Sequence, residues 1–486
     1  MVRGREKFNE VRALVETRGL TPEKRARLLE FLGALPNGAA AKLFSTLERD
    51  RAMGGAGLPH DLLLDSLRKQ LFEHDAPFPA RPPTAQRLFF TPVEDFFIAF
   101  RAGKKRRARI ARSSIEPVWK LIQTDPACAG AARAAAALDA AIRDRSPNVA
   151  AFEESMFLAA DQGIGRLVAH AEADRAFRDD LSERLGGETA LEDLAEIHLV
   201  LSAASQMKAM QQAFPRPVSA LTEEDLFEAR RLFAQARAAA PDVAPYILLA
   251  LVGRMDAPWR ALALYYHLAG ARDQAGEGAG VIVEALFEDL EGAARLLERD
   301  AEGDLDAEHA AIQLAHFADF AEGLAKEAKR AGDKVVFNRV EACRDIAADS
   351  LARFAEQSLA ALRKAMPVRH AGGASLLMAL RPDYSRPLSP PAIAAAAESA
   401  RFLARVDDIA RRLGRSSAAD GLVDEAVQEM TRYAGDVVLE IRAAEGEDRA
   451  SARRLMEQIL NVAGPILPRD ELELLKEKAL AAAHTA

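Results

Sequence analysis

The residues best equipped for chemistry in this 486-residue chain are clustered cations. Arg101, Lys104, Lys105, Arg106, Arg107, Arg109 and Arg112 fall together with no acid among them, directly after five phenylalanines between Phe89 and Phe100. Guanidinium and ammonium groups bind carboxylate and phosphate oxygens. Lys104, Lys105, Arg106, Arg107, Arg109 and Arg112 are therefore the candidate anion-binding residues. Wound as a helix, 104–112 would point its cations all round the axis, whereas an in-plane membrane helix needs an apolar face. A loop suits the segment better. Its charge is either solvated or paired with acids of its own chain, or else open to an anionic partner. A membrane surface would contribute about 1 kcal/mol per cation, and a nucleic acid would bind with a steep salt dependence. No aromatic residue is interleaved with the cations to stack on bases.

His309 and His316 are the next candidates. They stand seven apart in a helical pattern, which separates them by about 10 Å along one helix. Metal–nitrogen bonds are about 2 Å long, so the two cannot share one ion. Asp306 and His309 are three apart, but no Glu-x-x-His occurs in the chain, so the helical di-metal signature is absent. With Ile312 set at the centre of an apolar stripe, both histidines fall in the sector shared by Leu305 and Phe320. They are expected as hydrogen-bonded core residues, with a metal or catalytic role as the weaker reading. Cys128 and Cys343 form no metal or redox spacing and read as reduced intracellular thiols. "GKK" at 103–105 lacks the upstream glycine and following hydroxyl of a phosphate loop. "GEGAG" at 276–280 lacks the dinucleotide spacing, and "DAEGDLDAEH" at 300–309 fails the calcium-loop positions. There is no Gly-x-Ser-x-Gly elbow. No cofactor is implied.

The elements that must carry these residues read as helices. Alanine supplies 101 of the 486 residues, and alanine is the best helix former. Phe8, Val11, Leu14 and Val15 space as one helical face, with Gly19 to end it, and Thr21–Pro22 opens the next helix. Residues 59–72 form another amphipathic helix. Thr91, Pro92 and Glu94 read as a capped helix start, with Val93, Phe96, Phe97 and Phe100 as its buried face and Gly103 as its stop. A further helix starts at Ser113 or Ser114. Thr222 with Asp225 resembles a capping box. Long helical patterns cover about 276–300, 304–331 and 333–365, and then 392–413, 418–445, 447–463 and 469–483. Short connections make neighbours antiparallel. The fold class is all-α, as a multi-helix bundle or an irregular helical solenoid of antiparallel hairpins. No repeat period is visible.

Proline-rich breaks at 76–83 and 366–391 suggest three parts: a short-helix domain at 1–75, a central helical domain at 84–366 and a C-terminal helical domain at 390–486. Net charge is −8, unevenly placed: residues 1–120 hold 23 Lys+Arg against 14 Asp+Glu. The apolar run 243–253 is too short for a bilayer span of about 20 residues, and no secretory leader is evident, so a cytoplasmic location is expected. The leading expectation is a non-catalytic scaffold, adaptor or regulator with a protein partner. The alternative is an accessory protein that grips an anionic membrane surface or nucleic acid through 104–112. The third is an unrecognised helical enzyme built on His309 or His316.

Overall fold

The computed structural model describes residues 22–33, 35–52, 58, 60–73, 83–99, 104–270, 278–370, 380–386, 388–416, 419 and 421–484. The expected first helix through Phe8 and Val15, the Thr21 cap, Phe100, Gly103 and most of the 76–83 proline run lie outside them. Within them the chain is all-α, with twenty α-helices, four 3-10 turns and two two-stranded ladders. The helices group into two compact units, divided after Lys208. This division falls inside a helix rather than at a proline-rich break.

The first described elements of the N-terminal unit are α1 (Pro22–Gly33), α2 (Asn37–Ala52) and α3 (His60–Glu73). Leu28, Leu32, Leu43, Leu47, Leu63, Leu67 and Leu71 close around Phe44. Spacings of four residues put the leucines of each helix on one face. A short helix, α4 (Ala85–Phe90), follows, then a 3-10 turn (Thr91–Phe96) and β1 (Phe97–Ile98).

The capped helix expected from Thr91 is therefore not formed. Thr84 is the N-cap, accepting from the Arg87 N–H, and Thr91 instead donates its hydroxyl to the Arg87 carbonyl at 3.1 Å. The reason is Pro92, which has no N–H to continue the ladder begun by α4. It ends α4 and stands in the first turn of a 3-10 helix rather than of the expected α-helix. Part of the expected apolar face is buried: Val93 and Phe96 lie in the core with Phe89 and Phe90, while Phe97 is half-buried; Phe89 lies against Phe90 at 4.8 Å and Trp119 at 5.6 Å between ring centroids.

After the basic segment, β2 (Ile110–Ala111) pairs in parallel with β1, Phe97 opposite Ile110 and Ile98 opposite Ala111. Five helices complete the core: α5 (Ile115–Thr124), α6 (Ala129–Arg143), α7 (Val149–Ala173), α8 (Arg175–Leu185) and α9 (Glu188–Leu201). The next helix, α10 (Ala204–Ala213), contains the division. Gly165 of α7 has no side chain to keep the His198 ring of α9 away, and a Cβ there would lie 2.8 Å from its Cε1.

The C-terminal unit contains α11 (Glu223–Ala239), α12 (Ala244–Arg254), α13 (Ala261–Ala269), α14 (Gly280–Asp300), α15 (Ala307–Ala331) and α16 (Lys334–Lys364). Thr222 and Asp225 form the reciprocal cap of α11: Thr222 N–H donates to Asp225 Oδ2 at 2.8 Å, and Asp225 N–H to Thr222 Oγ1 at 3.2 Å. The apolar run 243–253 becomes α12, buried on nearly every side from Tyr246 to Val252. Beyond Met366 the chain makes an antiparallel ladder, β3 (Val368–His370) with β4 (Leu380–Pro382). It is tied to α18 (Leu422–Ala443) by Arg369 Nη2 on Glu440 Oε2 at 2.9 Å and by the Tyr433 hydroxyl donating to the Pro367 carbonyl at 2.7 Å. Then α17 (Pro390–Leu413) packs back on α15 and α16, and α18 forms a final set with α19 (Gly446–Ala463) and α20 (Arg469–His484).

Candidate functional site

Residues 104–109 of the basic segment form a loop that leads into β2, Arg112 opens the 3-10 turn Arg112–Ser114 that follows β2, and helix α9 holds the segment from beneath. Asp193 and Glu196 stand three apart on α9, which places them on one side of the helix. They are 0% and 7% exposed. Lys105 turns inward, its Nζ lying 2.6 Å from Asp193 Oδ1 and 2.6 Å from Glu196 Oε2 and donating to the Arg109 carbonyl at 2.7 Å. Glu196 Oε1 accepts the Ala108 N–H at 2.7 Å. Asp193 Oδ2 accepts both the Ala111 N–H at 2.9 Å and the Ser114 hydroxyl at 2.7 Å.

Two buried carboxylates meet one ammonium group here. Backbone N–H and hydroxyl donors take up the remaining negative charge, as burial of charge requires. The clamp also holds an unusual backbone. Ala108 sits at φ 56°, a left-handed conformation that a Cβ disfavours by about 1–2 kcal/mol. The hydrogen bond from its own N–H to Glu196 fixes that turn. Ser114, expected with Ser113 as the start of the next helix, directly precedes α5 but makes no side-chain cap; its hydroxyl serves Asp193 instead.

The six candidate cations thus separate into three kinds. Lys105 is committed to α9. Arg106 and Arg109 are half-buried and neither is free. Lys104, Arg107 and Arg112 are exposed. Among the described residues these last three make no ion pair, and the Arg112 guanidinium lies over the Phe97 ring at 5.9 Å. Asp193 and Glu196 were not among the sequence candidates. The available signal was the three-residue spacing of Asp193 and Glu196, which places both beside the buried Leu194 and Ile197, although Glu192 stands in the same stretch.

The histidine expectation is corrected. His309 and His316 are both exposed, and Ile312 between them is 43% exposed. The buried face of α15 runs through Ala307, Ala310, Ala311, Leu314, Phe317, Ala318 and Ala321, roughly opposite Ile312 at 100° per residue. Alanine builds the core side of this helix, and its small side chain admits close neighbours. His309 lines a pocket of about 330 Å³ at the α14–α15 turn with Arg299, Asp300, Asp304 and Asp306. There Asp306 caps α15 by accepting the His309 N–H at 3.0 Å. Among the described residues no group of three or more His, Cys, Asp or Glu is placed to hold a metal ion. Replacing either histidine by alanine is expected to change stability by less than about 0.5 kcal/mol. Thermal unfolding checks this, and a loss of several degrees would return the ring to a structural role.

Both thiols are buried. Burial, then the charge of Asp125, pushes the Cys128 thiol up to about 11. Burial, then Glu291, raises Cys343. Thiolate is the reactive form, so at pH 8 little of either cysteine is ready to react. An aromatic disulfide reagent is expected to leave both cysteines untouched at pH 8 and to label them once the chain unfolds. Rapid labelling of the native protein would contradict the burial.

Comparison with family models, characterised proteins and solved structures finds no match for this chain. Among the described residues no helix is long and apolar enough to cross a membrane.

Proposed function

We propose that the protein is a non-catalytic helical scaffold, adaptor or regulator that acts in the cytoplasm by binding another protein. The observation that carries this reading is the built display of the 104–112 loop. Buried carboxylates hold a left-handed turn from beneath while Lys104, Arg107 and Arg112 face outward. Strained backbone held by its surroundings is a feature of binding and switching sites. Affinity capture of the full chain from its native cells tests the reading. A protein partner retained in defined stoichiometry at physiological salt is the expected result. A chain that elutes alone, as a monomer, overturns it.

The same loop supports the second reading, an accessory protein on an anionic membrane surface or nucleic acid, through the exposure of those three cations. The pocket beside His309 is the observation on the side of an enzymatic reading.

A further inference from the structure

We infer that Lys104, Arg107 and Arg112 form a docking point for an acidic protein segment, a short run of Asp and Glu side chains. The inference rests on the interaction reading above and assigns it a surface and a partner chemistry. Two observations favour this occupant.

The first is the number of cations turned outward. The segment looks like a strong polycation in sequence, yet Lys105 is spent on Asp193 and Glu196, and Arg106 and Arg109 are half-buried and engaged. Three outward charges match a few carboxylates better than a long polyanion. The second is preorganisation. Two of the three cations are arginines, whose planar fork pairs with a carboxylate through two parallel hydrogen bonds. Arg112 is already laid on the Phe97 ring, and Arg107 sits beside the fixed Ala108 turn. Less freedom is lost on binding than from a mobile tail.

The test uses the full chain and a fluorescent oligoglutamate peptide of about ten residues, followed by anisotropy. The number of outward cations sets the scale: with only three, binding is weak, and it weakens as salt rises. The combined variant Lys104→Gln, Arg107→Gln, Arg112→Gln changes exposed side chains only, and circular dichroism verifies its helix content. It is expected to bind the peptide at least about tenfold more weakly. A single-stranded oligonucleotide and phosphatidylserine vesicles are run beside the peptide, with no loop-dependent binding expected. A parent protein that ignores the peptide, or a variant that binds it equally, overturns the inference. Loop-dependent binding that is tighter for the oligonucleotide or the vesicles overturns it as well, in favour of the accessory reading. If the variant still retains the partner captured by the full chain, the docking point falls and the scaffold reading stands.

Discussion

Replacing Asp193 by alanine is expected to lower the stability of the N-terminal unit by about 3 kcal/mol and to open the 104–112 loop to trypsin. Three donors lose their acceptor at once: Lys105 Nζ, the Ala111 N–H and the Ser114 hydroxyl. Removing one member of a buried pair costs about 3–5 kcal/mol because the other charge stays behind. Lys105 keeps Glu196 and some access to water, which places the effect near the lower end. Against a total stability of about 5–15 kcal/mol this is a large fraction. The chain has two tryptophans, Trp119 in the N-terminal unit and Trp259 in the C-terminal one. Single-tryptophan variants therefore report the units separately in denaturant unfolding. Asp193→Ala should move the Trp119 transition and leave that of Trp259 in place. Trypsin cuts after Lys and Arg, so the loop is dense in sites once its backbone is released. Cleavage within 104–112 should rise at least about tenfold, since it tracks the population of the opened form. Asp193→Asn, which keeps the shape and one acceptor, should fall between. An unchanged transition with unchanged cleavage would show that α9 does not hold the loop.

Replacing Gly323 by alanine is expected to destabilise the C-terminal unit by about 2 kcal/mol, although alanine favours a helix over glycine by about 1 kcal/mol. Gly323 lies in α15, and a Cβ there would overlap the indole of Trp259 at Cγ, Cδ1 and Cδ2. Carbon atoms rest at about 3.5–4.0 Å from one another, so the ring must move by about 1 Å or the helix must shift. Overpacking of this kind costs about 1–3 kcal/mol. The Trp259 ring also lies 6.1 Å from the Phe320 ring, and the displaced indole loses that neighbour. Fluorescence of Trp259 should shift to the red, and its unfolding midpoint should fall while that of Trp119 holds. A variant more stable than the parent, with unshifted emission, would mean that helix propensity outweighs the contact.

Much of the helical architecture was legible from local signals. The patterns at about 304–331 and 392–413 became α15 (Ala307–Ala331) and α17 (Pro390–Leu413). The Thr222–Asp225 pair forms the cap that its spacing implies. These features depend on residues within one helical turn of each other, where sequence and structure speak the same language. The errors were also physical. Thr91–Pro92–Glu94 carries a helix-start signature, yet α4 already occupied the chain before it, and the proline acts as a terminator there. On α15 the large side chains misled. Ile312 defines an apolar stripe by hydropathy, while the buried face is made chiefly of alanine, whose hydropathy differs little between core and surface use.

The sequence by itself determined an all-α protein, most of the helix positions and the place of the basic segment, because alanine content, glycine and proline stops and charge are local properties. Only the tertiary structure decided which face of each alanine-rich helix is buried and which cations remain outward. Lys105 and Arg107 are alike in the sequence, two residues apart in one basic run. They differ because Asp193 and Glu196 lie beneath one of them, and Asp193, 88 residues from Lys105, reaches it only when α9 packs under the loop. Pairing of charges over that separation is set by how helices stack, and helix stacking is not written in any short stretch of the chain.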